Sequence, residues 1–155
     1  MTLLLLRHVH AGDRDGWTGD DRRRPISDRG HRQADALVAT YDGQDVTRIL
    51  TSPYVRCVQS VEPLADARGL DVEVEDALAE GTPLDAVRRL FARLDGGTVV
   101  LCSHGDVIAS VVQDLLVRGV DLGGPDALRW QKGATWVLEG DPRSPRTARY
   151  LPPPA

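Results

Sequence analysis

Arginine and histidine stand side by side at Arg7-His8, and a second histidine lies between small residues at Ser103-His104-Gly105. Another arginine, Arg56, comes one helical turn after Ser52-Pro53. These residue types suit the handling of a phosphoryl group. Arginine presents a planar fork of donors that matches phosphate oxygens. A neutral imidazole attacks phosphorus through one ring nitrogen while the other donates to a carbonyl. The product is a phosphohistidine, a covalent intermediate that divides one difficult step into two. The arginines and the second histidine would hold the charge on the equatorial oxygens during transfer.

Such a site requires distant stretches of chain to meet at one edge. Leu3-Leu4-Leu5-Leu6 is a short apolar run followed by polar, Gly-rich sequence, the pattern of a strand buried on both faces. It delivers Arg7 and His8 at its carboxyl end. Thr98 to Cys102 is the strongest strand in the chain and runs into Ser103-His104. Val46 to Leu50 is a third strand, ending at Thr51-Ser52. Leu70 to Val74 reads as an edge strand, Thr135 to Glu139 as the last core strand, and Ala148 to Leu151 as a further edge strand.

Helices fall between them. One spans about 28–40, with Ser27 as N-cap and Asp28 complementing the dipole. A second covers about 53–68, with Pro53 at N1 and Gly69 as its stop. Thr82-Pro83-Leu84-Asp85 opens a third, whose apolar stripe is Leu84, Val87, Leu90, Phe91 and Leu94. A fourth covers about 107–117. Strands alternating with helices predict an α/β fold, a three-layer α/β/α sandwich with a mostly parallel sheet. The carboxyl ends of parallel strands share one edge, where helix N-termini also point and anions bind.

Composition narrows the alternatives. At 155 residues the expectation is one domain, residues 1–155, with 152–155 as a frayed tail. A net charge of -4 argues against bulk nucleic-acid binding. Cys57 and Cys102 lack CxxC spacing and are expected as reduced core thiols. Leu3 to Leu6 is too short for a signal peptide or a membrane span, so a soluble cytoplasmic protein is expected. The loop Ala11 to Arg24 is long for a compact domain. Within it, Trp17 either stacks on a base or sugar or anchors the loop. The run Arg22-Arg23-Arg24 is either solvated or a rim for further phosphates, and His10 is a loop histidine.

The ordered set Arg7-His8, Ser52-Pro53 with Arg56, and Ser103-His104-Gly105 resembles the histidine phosphatase superfamily, in its phosphoglycerate-mutase-like branch. The short length is similar to the small SixA-type phosphohistidine phosphatases. Ser52 to Gln59 and Leu78-Ala79-Glu80-Gly81 look closer still to the phosphatase half of mycobacterial MutT-type Nudix fusion proteins. The resemblance implies that His8 is the nucleophile and that Arg7, Arg56 and His104 complete a phosphate pocket. It implies Glu80 as the general acid, with Asp106 as the competing candidate. Ser103, Gly105, Arg14 and Trp17 are expected to contact substrate. Val9 replaces the glycine usual in the family, and Ala11 and Arg14 replace the usual Thr and Asn. The last two changes weaken a case for sugar-phosphate mutase activity.

The expectation is therefore a phosphatase requiring no metal or cofactor, acting through phospho-His8. Its partner would be a phosphorylated small molecule or a phosphoprotein: a phosphomonoester, a nucleotide-type phosphate or a protein phosphohistidine. The rival readings are a phosphomutase of the same fold and a non-catalytic phosphate-binding regulatory module.

Overall fold

The four leucines of the first strand point alternately into two cores. Leu3 and Leu5 belong to one buried cluster, Leu4 and Leu6 to another. A strand with both faces covered must lie inside a sheet that carries helices on each side. The computed structural model describes Met1–Ala155 and shows that arrangement. Strand β1 (Thr2–Arg7) is followed by α1 (Asp28–Thr40), β2 (Val46–Thr51), α2 (Val55–Arg68) and β3 (Val72–Val74). Then come α3 (Leu84–Ala92), β4 (Thr98–Ser103), α4 (Gly105–Val117), β5 (Thr135–Asp141) and β6 (Ser144–Leu151).

The sheet order is β3-β2-β4-β1-β5-β6. The first four strands are mutually parallel, and β5 and β6 form an antiparallel hairpin beside β1. Side chains of α1 and α2 (Ala34, Leu37, Val61, Leu64) pack with Leu4 and Leu6. Those of α3 and α4 (Val87, Leu90, Val111, Leu115) pack with Leu3 and Leu5 on the other face. The expected mixed α/β sandwich is thus present. No helix is long and apolar enough to cross a membrane.

The topology positions the site. The chain leaves β1 toward β2 on one side of the sheet and leaves β4 toward β5 on the other. Strands β1 and β4 are neighbours, in register from Thr2↔Thr98 to Arg7↔Ser103. Their carboxyl ends therefore flank the switch point, the crevice where open α/β sheets bind ligands. Register carries this one residue further: the amide of His8 donates to Ser103 O at 3.0 Å, and that of Ser52 to Cys102 O at 2.9 Å.

Several boundaries differ from expectation. Helix α2 starts at Val55 with Tyr54 as N-cap, so Pro53 lies before the helix rather than at N1. The reason is that the Ser52 hydroxyl is engaged by the Tyr54 amide and by His104, which makes Ser52-Pro53 a turn. Helix α3 starts at Leu84 with Pro83 as its N-cap, and the Thr82 hydroxyl donates to Ala79 O, closing the preceding turn. Strand β6 starts at Ser144, earlier than expected, because β5 pairs with it along the hairpin. The proline tail does not fray: Gln33 Nε2 donates to Pro154 O at 3.3 Å, and Pro153 packs near Gly133.

Helix α1 begins as expected, with Ser27 Oγ accepting from the Gly30 amide. Gly30 is also a close-approach glycine, since a Cβ there would stand 2.0 Å from His10 O. A backbone atom cannot yield as a flexible side chain can. Gly30→Ala is therefore expected to lose about 1–3 kcal/mol of stability, while Gly43→Ala, with open space around it, stays near wild type. Urea denaturation of the two variants checks this.

Candidate active site

His8 is 4 % exposed, and its Nδ1 lies 2.8 Å from Val9 O. A carbonyl only accepts, so Nδ1 carries the ring proton and Nε2 keeps its lone pair. Burial pushes the His8 pKa down to about 2; the Val9 bond opposes this, and His104, Arg56 and Arg7 add to it. The imidazole is thus neutral at ordinary pH, the state a nucleophile needs. The Val9 amide is itself held by Ser60 Oγ at 3.0 Å, which fixes the turn beneath the ring.

His104 lies against His8 with ring centroids 5.5 Å apart. Its Nε2 is 2.8 Å from Ser52 Oγ, while its buried Nδ1 has no partner in the protein. Tyr54 stacks edge-on against the same ring at 4.6 Å. The Nε groups of Arg7 and Arg56 are likewise buried and unpartnered. Three unsatisfied buried donors close to one neutral histidine are what an oxyanion site requires, since such groups are otherwise paired. Burial pulls the Arg7 pKa below its ordinary value, with Asp106 opposing the effect.

Arg7, His8 and Arg56 open into a polar pocket of about 170 Å³ lined also by Glu80, with Arg14 and Gly105 at its walls; His104 does not line it but lies against the His8 ring, 1 % exposed. A Cβ at Gly105 would stand 2.8 Å from Arg7 Cζ, so any larger residue there must displace the guanidinium. Glu80 Oε1 accepts from Arg14 Nη2 at 2.8 Å and lies 3.6 Å from Arg56 Nη2. Asp106 does not line this pocket; its Oδ2 accepts from the Gly81 amide at 2.8 Å and so steadies the loop that carries Glu80.

Two expected contact residues lie elsewhere. Ser103 is fully buried and donates to Leu78 O at 2.6 Å, tying β4 to the Glu80 loop. It does not line the pocket because alternation along β4 turns its hydroxyl to that face of the sheet. Trp17 is also outside the pocket; its indole N–H donates to Asp20 O at 3.0 Å, the loop-anchoring alternative.

Other residues were not singled out for the site from sequence. Asp21 pairs with Arg56 Nη2 at 3.1 Å, with Arg24 Nε at 2.9 Å and with Arg14 Nε at 3.6 Å. Its carboxyl stays below the ordinary carboxylate range: burial works against this, and the bond from Arg24 and the charges of Arg56 and Arg14 prevail. Arg24 is buried and donates to Ala11 O at 2.8 Å, whereas Arg22 turns outward to Asp20. The arginine run is thus one buried strut and an outer pair. Gly12, Asp13 and Lys132 complete the pocket wall. Lys132 had a signal in being the chain's one lysine; Asp21 had only its place beside the arginine run.

Residues 3–82 match the model of the histidine phosphatase superfamily (branch 1). The chain belongs to that superfamily. It is 35 % identical over 158 residues to an 8-oxo-(d)GTP phosphatase of Mycolicibacterium smegmatis, an alignment covering 99 % of this chain and 48 % of that protein. The chain thus spans about half the length of this curated relative. A provisionally assigned phosphohistidine phosphatase SixA of Nakamurella multipartitia superimposes with a TM-score of 0.71 at 27 % identity, over 99 % of this chain and 95 % of that one. The protein histidine phosphatase SixA complexed with tungstate gives a TM-score of 0.77 over 99 % and 96 %, a likeness of fold at 19 % identity.

The histidine phosphatase site has a consequence for stability. His8 titrates near 2 in the folded chain and near 6.5 when unfolded. Between those values the unfolded state binds the extra proton, so stability falls as pH drops below 6.5, by up to about 1.4 kcal/mol per unit. Melting curves of wild type and His8→Asn from pH 7 to 4 should show a steeper loss in wild type. Parallel curves would refute a buried neutral His8. Separately, Gly105→Ala is expected to displace the Arg7 guanidinium and lower kcat/KM on an aryl phosphate by about 10- to 100-fold, with the circular-dichroism spectrum unchanged.

Proposed function

We propose that the chain, as a single catalytic unit over residues 1–155, hydrolyses a phosphate ester through a phosphohistidine on His8. The observation that carries this reading is the neutral, buried His8 with its proton on Nδ1 and Nε2 free beside Arg7 and Arg56. Nε2 forms a bond to phosphorus as the bond to the leaving oxygen breaks. Arg7, Arg56 and the Nδ1 side of His104 stabilise the equatorial oxygens. The incoming phosphate monoester, as its monoanion, competes with Glu80 for Arg14 and Arg56 and gives its proton to the freed carboxylate, which passes it to the leaving oxygen. Glu80 then accepts a proton from the water that attacks phospho-His8, and the N–P bond breaks to release inorganic phosphate. Its place in the pocket, against Asp106 outside it, favours Glu80 for both steps.

As substrate we favour a nucleotide-type phosphate, on the 35 % identity to the 8-oxo-(d)GTP phosphatase. A protein phosphohistidine is the second reading, supported by the 27 % identity to the Nakamurella SixA protein over nearly the full chain. In both, water rather than a second substrate hydroxyl discharges the enzyme, which separates them from a mutase.

His8→Ala is expected to abolish phosphate release from p-nitrophenyl phosphate, and a fully active variant would sink the mechanism. Glu80→Gln is expected to slow hydrolysis of an alkyl phosphate by about 10²- to 10⁴-fold. The loss should be smaller on p-nitrophenyl phosphate, whose leaving group needs little protonation. Equal losses on both would remove Glu80 from the acid role.

A further inference from the structure

Beside the catalytic pocket lies a second polar pocket of about 380 Å³, lined by His10, Arg29, Gln33, Gln131, Lys132 and Pro153. Lys132 lines both pockets. We propose that this outer pocket binds the non-transferred phosphate of a diphosphate-type substrate whose terminal phosphoryl group sits at His8. The inference rests on the phosphoryl-transfer reading of His8 and names the substrate class for that same site.

The pocket has the chemistry of an anion site. No hydrophobic side chain lines it other than the Pro153 ring. Neither Arg29 nor Lys132 takes part in any ion pair of the chain, although most arginines around the catalytic pocket do. Lys132 is pulled below its ordinary pKa, first by burial and then by Arg7 and Arg24, with Asp13 opposing. It stands in an excess of positive charge that a second phosphate would relieve. The outer pocket is also built rather than incidental. The His10 ring is fixed through Nδ1, which lies 2.6 Å from Ser27 Oγ and 3.4 Å from the Gly12 amide nitrogen. Gln33 is 2 % exposed, with Oε1 accepting from the His10 amide and Nε2 donating to Pro154 O.

The same lining states what is not recognised. Neither pocket presents an aromatic ring other than histidine, and Trp17 lies outside both. A nucleobase has no stacking surface here. The phosphate chain, rather than the base, therefore supplies the binding energy, and ADP, GDP and inorganic pyrophosphate should be held alike.

Calorimetric binding to the His8→Ala variant of the 155-residue chain tests this without turnover. ADP is expected to bind at least about tenfold more tightly than AMP, a difference of about 1.4 kcal/mol. ADP, GDP and pyrophosphate should agree within about threefold. Adding Arg29→Gln, an exposed helix position with no partner, should weaken ADP and pyrophosphate about three- to fivefold, the size of one solvated charge contact. Equal affinity for ADP and AMP, or no effect of Arg29→Gln, overturns the assignment. So does weakened binding of an acidic phosphopeptide with ADP unaffected, which would give the pocket to a protein substrate. Turnover of p-nitrophenyl phosphate by the wild-type chain reports on His8 separately. Its absence overturns the transfer reading, and with it any substrate role for the pocket, whatever binds there.

Discussion

The carboxylate of Asp21 allows several cations to share one small space. Arg14, Arg24 and Arg56 all reach it, and Arg56 is entirely buried. Buried like charges repel strongly, and an unpaired buried guanidinium is costly. Asp21 takes part of that charge and leaves one edge of Arg56, its Nε, without a protein partner. The pocket is therefore neutralised enough to fold and still positive enough to hold an anion. Arg24 extends the same device by bonding both Asp21 and the carbonyls of Ala11 and Gly12, which shapes the loop after His8.

The histidines obey a related constraint. His8 stays neutral because it is buried, and its tautomer is set by one carbonyl. Its neighbours cannot supply a compensating negative charge, since Arg7, Arg56 and His104 all disfavour a second proton on the ring. The charge distribution that attracts a phosphate is thus the one that keeps the nucleophile ready. Glu80 sits at the margin of this field, shared between Arg14 and Arg56, where an arriving anion changes its partners.

The supporting shell is made of residues that never enter the pocket. Ser60 holds the Val9 amide, Ser52 holds His104, and Ser103 and Asp106 hold the loop bearing Glu80. Ser52, Ser103 and Asp106 are short polar side chains at strand ends or a helix start, where side-chain bonds replace absent ladder partners, while Ser60 reaches the Val9 amide from within α2. Rigid support of this kind lets groups from four separate segments keep a common geometry.

Much of this was legible in the chain itself. The run Leu3 to Leu6 had to be a doubly covered strand, because neither a helix period nor a single apolar face accommodates four leucines so close to a charged end. Strand–helix alternation implied the parallel sheet, and the sheet implied that Arg7-His8, Arg56 and His104 would meet. Those inferences are local or topological, and periodicity records them. Tertiary structure alone decided the rest. The pairing of Asp21 with Arg56, and the turning of Trp17 away from the pocket, depend on how the 11–24 loop folds over the sheet edge. Placing Lys132 and His10 on a shared rim depends on joining the segment before β5 to the one after β1. Such contacts lie far apart in sequence and are set by packing and charge compensation, which leave no period in the order of residues.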